Sequence, residues 1–221
     1  MTDQKHSPRA SRYPGYDVLR KRHTPSWDET TRRVVDERLA ARRAPTFLDD
    51  AAWRTLDALC GRVVPQPADR PPVPVAALVD ARLRRDQRDG YRDARLPPTR
   101  AAWQRGLEAL DAEAHAHYNV LFHEIDCVEQ DALITKMQKG ELTNAAWGDM
   151  PPQLFFVDRV LPDICRAYYS HPASWSEIGF GGPASPRGYV RLVAGRRDPW
   201  EAVEATPGDE DEARKENERV R

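Results

Sequence analysis

The sequence predicts an all-α fold: five to six helices in a compact bundle, with an extended N-terminal arm and an irregular Gly/Pro/aromatic C-terminal segment. Three observations carry this. Apolar residues recur at steps of three and four, the spacing that lines one helix face. Capping residues and proline or glycine stops bracket those stretches. No stretch alternates polar and apolar as a half-buried strand would.

Residues 1–25 hold three prolines and many charges and read as an arm, with Tyr13, Tyr16, Val18 and Leu19 suited to lie along a surface. Ser26 and Glu29 have capping-box spacing, which satisfies two free backbone donors at a helix start. Trp27, Thr31, Val34, Val35 and Leu39 then give a modest apolar face. A second helix carries Trp53, Leu56, Leu59, Cys60, Val63 and Val64. Pro65 ends it, because proline disfavours helix in the residue before it. Five prolines in residues 65–74 make a stiff connector. Pro74 is placed at the first position of a third helix, with Val75, Leu78, Val79 and Leu83 on its face and Asp89-Gly90 as its stop.

Thr99 is the expected cap of a long fourth helix presenting Trp103, Leu107, Leu110, Ala114 and His117. Asp126 and Glu129 repeat the capping-box chemistry before Leu133, Ile134 and Met137, and Gly140 is the stop. Pro151-Pro152 opens the last long helix, with Phe155, Phe156, Val160, Leu161, Ile164, Cys165 and Tyr168. Pro162 inside it removes a backbone donor and is expected to kink it. Three segments follow: residues 1–45 as arm and short helix, 46–200 as the helical domain, and 201–221 as a charged tail expected to be disordered.

The chain has 221 residues, 40% hydrophobic and 31% charged, enough to bury a core without metals or disulfides. No apolar run approaches the 18 or so residues of a membrane-spanning helix. The formal net charge of −1 argues against a general nucleic-acid binder, which needs surplus basic charge to displace counterions. Charge is unevenly spread: residues 1–43 carry 11 basic and 6 acidic side chains, residues 82–105 carry 8 and 3, and residues 106–165 carry 3 and 11. Segments of opposite sign either neutralise each other across the fold or dock on a partner, and the internal pairing is preferred. Cys60, Cys127 and Cys165 are odd in number and lack a C-x-x-C spacing, so they read as small hydrophobes on helices, the other reading being a disulfide with a partner chain. Residues 1–26 lack the apolar run of an export signal, so the chain is expected to be cytoplasmic as made, and periplasmic where a partner carries it out.

No catalytic set stands out. His123 and Cys127 are four apart, a metal-ligand spacing, but no second cluster supplies the three or four convergent ligands a zinc site requires. Gly179 to Ser185 contains glycines as phosphate loops do, yet it follows no strand, and Pro183 and Pro186 remove donors a phosphate would use. Ser170 and His171 are neighbours, a poor geometry for a nucleophile and its base. No catalytic, cofactor-binding or metal residue is therefore assigned. The unusual feature is residues 168–190, which combine Tyr168, Tyr169, His171, Trp175, Phe180 and Tyr189 with Gly181, Gly182 and several prolines. Aromatics are enriched in interface cores, so these eight residues are the candidate partner surface. On that reading Trp175 and Phe180 contribute to binding and little to this chain's own stability. The other reading has the segment cover the chain's own helices.

Phe47-Leu48, the Arg62-Val63-Val64-Pro65 helix end, the Val75–Asp80 segment, the Trp103–Asp111 helix, the Phe122–Gly140 stretch, Phe155-Phe156 and the closing run from Trp175 to Tyr189 occur in one order. That ordered set resembles the gluconate 2-dehydrogenase subunit 3 family, over roughly residues 46–195. Three departures stand out: Trp175 precedes the Gly-Gly pair rather than following it, no twin-arginine signal is found, and the Tyr13–Leu39 extension is not part of the family's common core. The resemblance implies a small, non-catalytic subunit that supports maturation and stability of a large glucose–methanol–choline type dehydrogenase acting on gluconate, other sugars or polyols. FAD is then expected in that partner and no cofactor in this chain. A cytochrome c often completes such complexes. The alternatives are a helical metal protein or enzyme built on His123 and Cys127, and a helical scaffold unrelated to redox chemistry.

Overall fold

A computed structural model describes residues 11–68, 70–87, 90–185, 188 and 197–220. Every regular element among the described residues is helical, and nine α-helices are present. The count exceeds the expected five to six because three of them are short or lie in the C-terminal stretch. No helix among the described residues is long and apolar enough to cross a membrane. The chain forms two units: residues 41–168, and residues 1–40 together with 169–221.

The first unit holds α2 (Asp50–Val63), α3 (Val75–Arg84), α4 (Thr99–Tyr118), α5 (Cys127–Lys139), α6 (Pro152–Phe155) and most of α7 (Leu161–Ser170). Helix α4 packs against α2, α5 and α6. Its Trp103, Leu107, Leu110 and Ala114 are fully buried, beside Leu56, Leu59, Phe122, Leu133, Met137, Phe155 and Ile164. His117, expected on that face, is exposed; its place in the interior is taken by Glu113. Gly106 lets α4 approach α6: a Cβ there would lie 2.2 Å from the Phe155 ring.

Helix ends follow backbone chemistry. The Asp126–Glu129 capping box forms, Asp126 accepting the Glu129 N–H at 2.9 Å, and Gly140 closes α5 in the left-handed conformation at φ 74°. Thr99 is the first helical residue of α4 rather than its cap; Pro98 takes the cap position without a side-chain bond. Pro74 likewise sits at the cap of α3, one position earlier than expected. Instead of a bare kink, Pro162 is preceded by a π-turn at Phe156–Val160 joining α6 to α7. A wider turn re-registers the hydrogen bonds next to a residue that cannot donate.

Buried carboxylates tie the connections down. Asp80, on α3 and 0% exposed, accepts backbone N–H groups from Thr46, Phe47 and Leu48, at 2.6–3.2 Å. Glu113 accepts the Asn144 N–H at 2.8 Å and the Trp147 indole N–H at 3.0 Å. Arg82 reaches Asp163 and Arg105 reaches Asp149, both at 2.6 Å. Arg82 is thus neutralised inside the fold by Asp163, while Arg105 meets the exposed Asp149 at the surface.

The second unit brings the two chain ends together. It contains a 3-10 turn at Val18–His23, α1 (Glu29–Leu39), α8 (Pro172–Trp175), a 3-10 turn at Ser176–Ile178 and α9 (Glu210–Asn217). Tyr16, Val18, Trp27, Val35, Trp175 and Val220 form its core. Helix α1 starts two positions later than the Ser26 box requires: Asp28 is the cap and accepts the Thr31 N–H at 2.7 Å. Glu29 is then the first helical residue and cannot reach back to Ser26, while Trp27 is buried in the turn before it. The Thr31 and Ser185 hydrogen bonds hold the Asp28 carboxyl below the usual carboxylate range.

The tail expected to be disordered holds α9. Glu210, Asp211 and Glu212 occupy its first turn, with Arg214 and Lys215 toward its end, matching the helix dipole. Asn217, 0% exposed, donates to the carbonyls of Pro14 and Val203, each at 2.9 Å, and Ala213 is buried. Long-range anchors of this kind supply the order that composition alone does not.

Candidate functional site

The candidate segment begins at the end of α7. Tyr168 belongs to the unit of residues 41–168, where it is buried and its hydroxyl accepts from Arg70 at 2.9 Å. Tyr169 is 47% exposed. His171 is buried and caps α8: its Nδ1 accepts the Ala173 N–H, which leaves the proton on Nε2, 3.1 Å from the Arg38 carbonyl. Both ring nitrogens are therefore engaged in holding backbone.

Trp175 is 3% exposed and lies in the core of its own unit, its indole N–H donating to the Tyr169 carbonyl at 3.0 Å. This position fits the reading in which the segment covers the chain's own helices. Phe180 stacks edge-on against Trp175 at 5.4 Å and is 40% exposed. Among the described residues of the set, Tyr169 and Phe180 are thus the aromatics that reach solvent. Tyr189 lies outside the described residues.

The glycines serve close approach. Gly182 has φ 69°, and a Cβ on it would lie 2.9 Å from Trp27 and 3.2 Å from Trp175. The Gly181 carbonyl accepts from Lys21 Nζ at 3.2 Å, and the Phe180 N–H donates to Trp175. The turn packs aromatics and fixes chain, as the Gly/Pro pattern suggested. Lys21 and Trp27 were not legible as members: Lys21 sits between Arg20 and Arg22 with nothing local to mark it as buried.

His123 and Cys127 do not share a helix. His123 is in the 3-10 turn Phe122–Glu124, while Cys127 is the first residue of α5, beyond the Asp126 cap, and is exposed. Among the described residues, no group of three or more His, Cys, Asp or Glu side chains is placed to hold a metal ion. Asp111 lies next to this turn. It accepts from the Thr55 hydroxyl at 2.8 Å and the Phe122 N–H at 3.0 Å. Burial raises its pKa, against the opposing pull of those two donors and of His123. Cys60 is buried, and burial pushes its thiol far above the ordinary range, so it is inert as a nucleophile near neutrality.

Comparison with known families matches the model of gluconate 2-dehydrogenase subunit 3 over residues 50–182. No curated protein and no solved structure matches. The matched stretch spans α2 through the Gly181-Gly182 turn, and the chain belongs to the gluconate 2-dehydrogenase subunit 3 family.

Proposed function

We propose that this chain is the non-catalytic small subunit of a flavin-dependent dehydrogenase acting on gluconate, another sugar or a polyol. Its role is to stabilise and help mature the large glucose–methanol–choline type subunit, which carries the FAD. The family match over residues 50–182 is the observation that carries this reading. The use of the buried polar groups supports it: Asp80, Glu113 and His171 are each spent on holding backbone or indole N–H groups. On this reading the solvent-reaching aromatics Tyr169 and Phe180 face the large subunit, and any passage to the periplasm is made together with it.

The test is co-expression with a large subunit of that type, with purification through a tag on this chain. The expected result is a complex whose flavin resides in the large subunit. Omitting this chain should lower the yield of flavin-loaded large subunit. Purification of this chain as an active, flavin-bound monomer would overturn the reading, as would stoichiometric metal lost on His123→Ala.

A further inference from the structure

We propose that the end of α3, the 91–96 loop and the π-turn into α7 form a docking surface for an acidic protein face, carried by the large subunit. The surface lies wholly within residues 41–168 and rests on the accessory role proposed above. Three observations meet on it. Val157 and Leu161, on successive turns of one helical face, are 48% and 42% exposed. Tyr91 is 81% exposed. Arg84 and Arg85 are exposed, and among the described residues no carboxylate reaches either guanidinium.

Contacts within the unit draw these pieces together. Arg82 of α3 reaches Asp163 of α7 at 2.6 Å, and Arg85, three residues on, lies on the same side of α3. Arg100 ties the end of α3 to α4, donating to the Leu83 and Arg84 carbonyls at 2.6 and 2.5 Å. Tyr91 of the loop and Asp158 of the π-turn both act on the Arg95 guanidinium, so the loop runs beside Val157. Single π-turns within helices recur at functional sites. This one keeps Phe156, Arg159 and Val160 buried and leaves Val157 outward, where a surface helix ordinarily carries polar residues.

The acids on this face are already engaged. Asp163 is held by Arg82 and Arg166, Asp93 by Arg95, and Asp86 lies 3.7 Å from Arg100. Arg84 and Arg85 therefore carry the basic surplus of residues 82–105 to the surface. Their position at the C-terminal end of α3 suits the helix dipole, which does not account for the exposed Tyr91, Val157 and Leu161. Arginine and tyrosine are enriched in binding hot spots. A second copy does not fit: a two-fold contact sets the same patch against itself, arginine facing arginine. A lipid surface does not fit either, since two aliphatic residues interleaved with Asp158 give no continuous apolar face to bury. A protein that sets carboxylates opposite Arg84 and Arg85, and apolar side chains opposite Val157 and Leu161, satisfies every group.

Co-expression of the large subunit with tagged parent chain and one competing variant of the full chain tests this. The variants are Arg84→Glu/Arg85→Glu, the neutral Arg84→Gln/Arg85→Gln, and Leu161→Glu. The share of large subunit recovered with the charge-reversed and Leu161→Glu chains is expected to fall on the order of tenfold, and less with the neutral one. Thermal midpoints of the isolated chains should stay near the parent's; where Leu161→Glu lowers its own, the arginine variants decide. Added salt should weaken the parent complex more than the charge-reversed one. Undiminished recovery with the arginine variants overturns the proposal and leaves the accessory role standing. So does parent chain that self-associates, or binds vesicles of phosphatidylglycerol and phosphatidylcholine, and loses that property in the same variants. A parent chain that captures no large subunit overturns the accessory role and this contact together.

Discussion

The Trp103 indole N–H donates to the Asp163 carboxylate at 2.9 Å, joining α4 to α7 across the interior of one unit. The other oxygen of Asp163 receives Arg82 at 2.6 Å and Arg166 at 3.3 Å. The carboxylate, 4% exposed, is thus neutralised and saturated, and the fully buried indole has a partner.

Asp163→Ala removes the acceptor of the buried indole N–H and the carboxylate paired with Arg82. Breaking a buried pair by removing one partner costs about 3–5 kcal/mol. Urea unfolding should show a loss of that size, and Asp163→Asn, which keeps an acceptor for Trp103, should lose less. Equal losses in the two variants would show that the indole bond contributes nothing separable from the charge.

Asp80→Ala should loosen the chain before α2. Its carboxylate accepts three consecutive backbone N–H groups and the Thr46 hydroxyl. Hydrogen bonds to a charged group contribute about 1.5–3 kcal/mol each, and they are not additive. A total loss of about 3 kcal/mol or more is expected, with faster amide exchange at Phe47 and Leu48. Unchanged exchange there would show that the loop is held by other contacts.

Much of the helical frame was legible in the sequence. Leu56, Leu59, Trp103 and Leu107 are buried as their spacing requires, and the Asp126 box and Gly140 stop form as read. These signals are local, and local geometry decides them. The buried polar residues were not legible. Asp80, Glu113, Asp163 and Lys21 occur among charged neighbours, and only partners 30 or more residues away distinguish them from solvated side chains. The association of the two chain ends was missed for the same reason: Asn217 and Pro14 are 203 positions apart. In the candidate segment the aromatic clustering was legible, but whether Trp175 faces inward depends on Trp27 and Val18, which its own neighbourhood does not specify.

Gly106→Ala should be strongly disruptive although alanine favours helix. The new methyl would lie 2.2 Å from Phe155, which is fully buried and packs edge-on to Trp103 at 5.4 Å. Overpacking costs about 1–3 kcal/mol. Phe155→Leu alone leaves space, and the double variant Gly106→Ala/Phe155→Leu should be more stable than the sum of the singles predicts. Simple additivity in thermal unfolding would place the methyl elsewhere than against that ring.

Trp175→Ala should destabilise the isolated chain, since the ring is buried with Tyr16, Val18, Trp27, Val35 and Val220. Truncating a buried large aromatic costs about 3–5 kcal/mol. Phe180→Ala, at a residue 40% exposed, should cost less than half of that. The pair separates core from surface: equal stability losses would make Phe180 a core residue, and a stable Trp175→Ala chain would return Trp175 to the partner surface.

Asp111 gives the pH dependence a definite sign. Burial raises its folded-state pKa above the ordinary carboxylate value of about 3.9. Where the folded pKa is the higher one, the folded state binds the proton more tightly than the unfolded chain does. The destabilisation from ionising Asp111 is then absent below the unfolded pKa. It grows as pH rises through the window between the two values, and is complete above the folded one. Asp111→Asn removes the titration while an amide oxygen still accepts from Thr55 and the Phe122 N–H. Relative to the parent, the Asn variant should therefore gain stability as pH rises from about 3 toward 7, whatever the offset between them at the acid end. Urea midpoints on both proteins across that range provide the measurement. Curves that stay parallel would show that Asp111 ionises as readily in the folded chain as in the unfolded one, so that the Thr55, Phe122 and His123 interactions fully offset its burial.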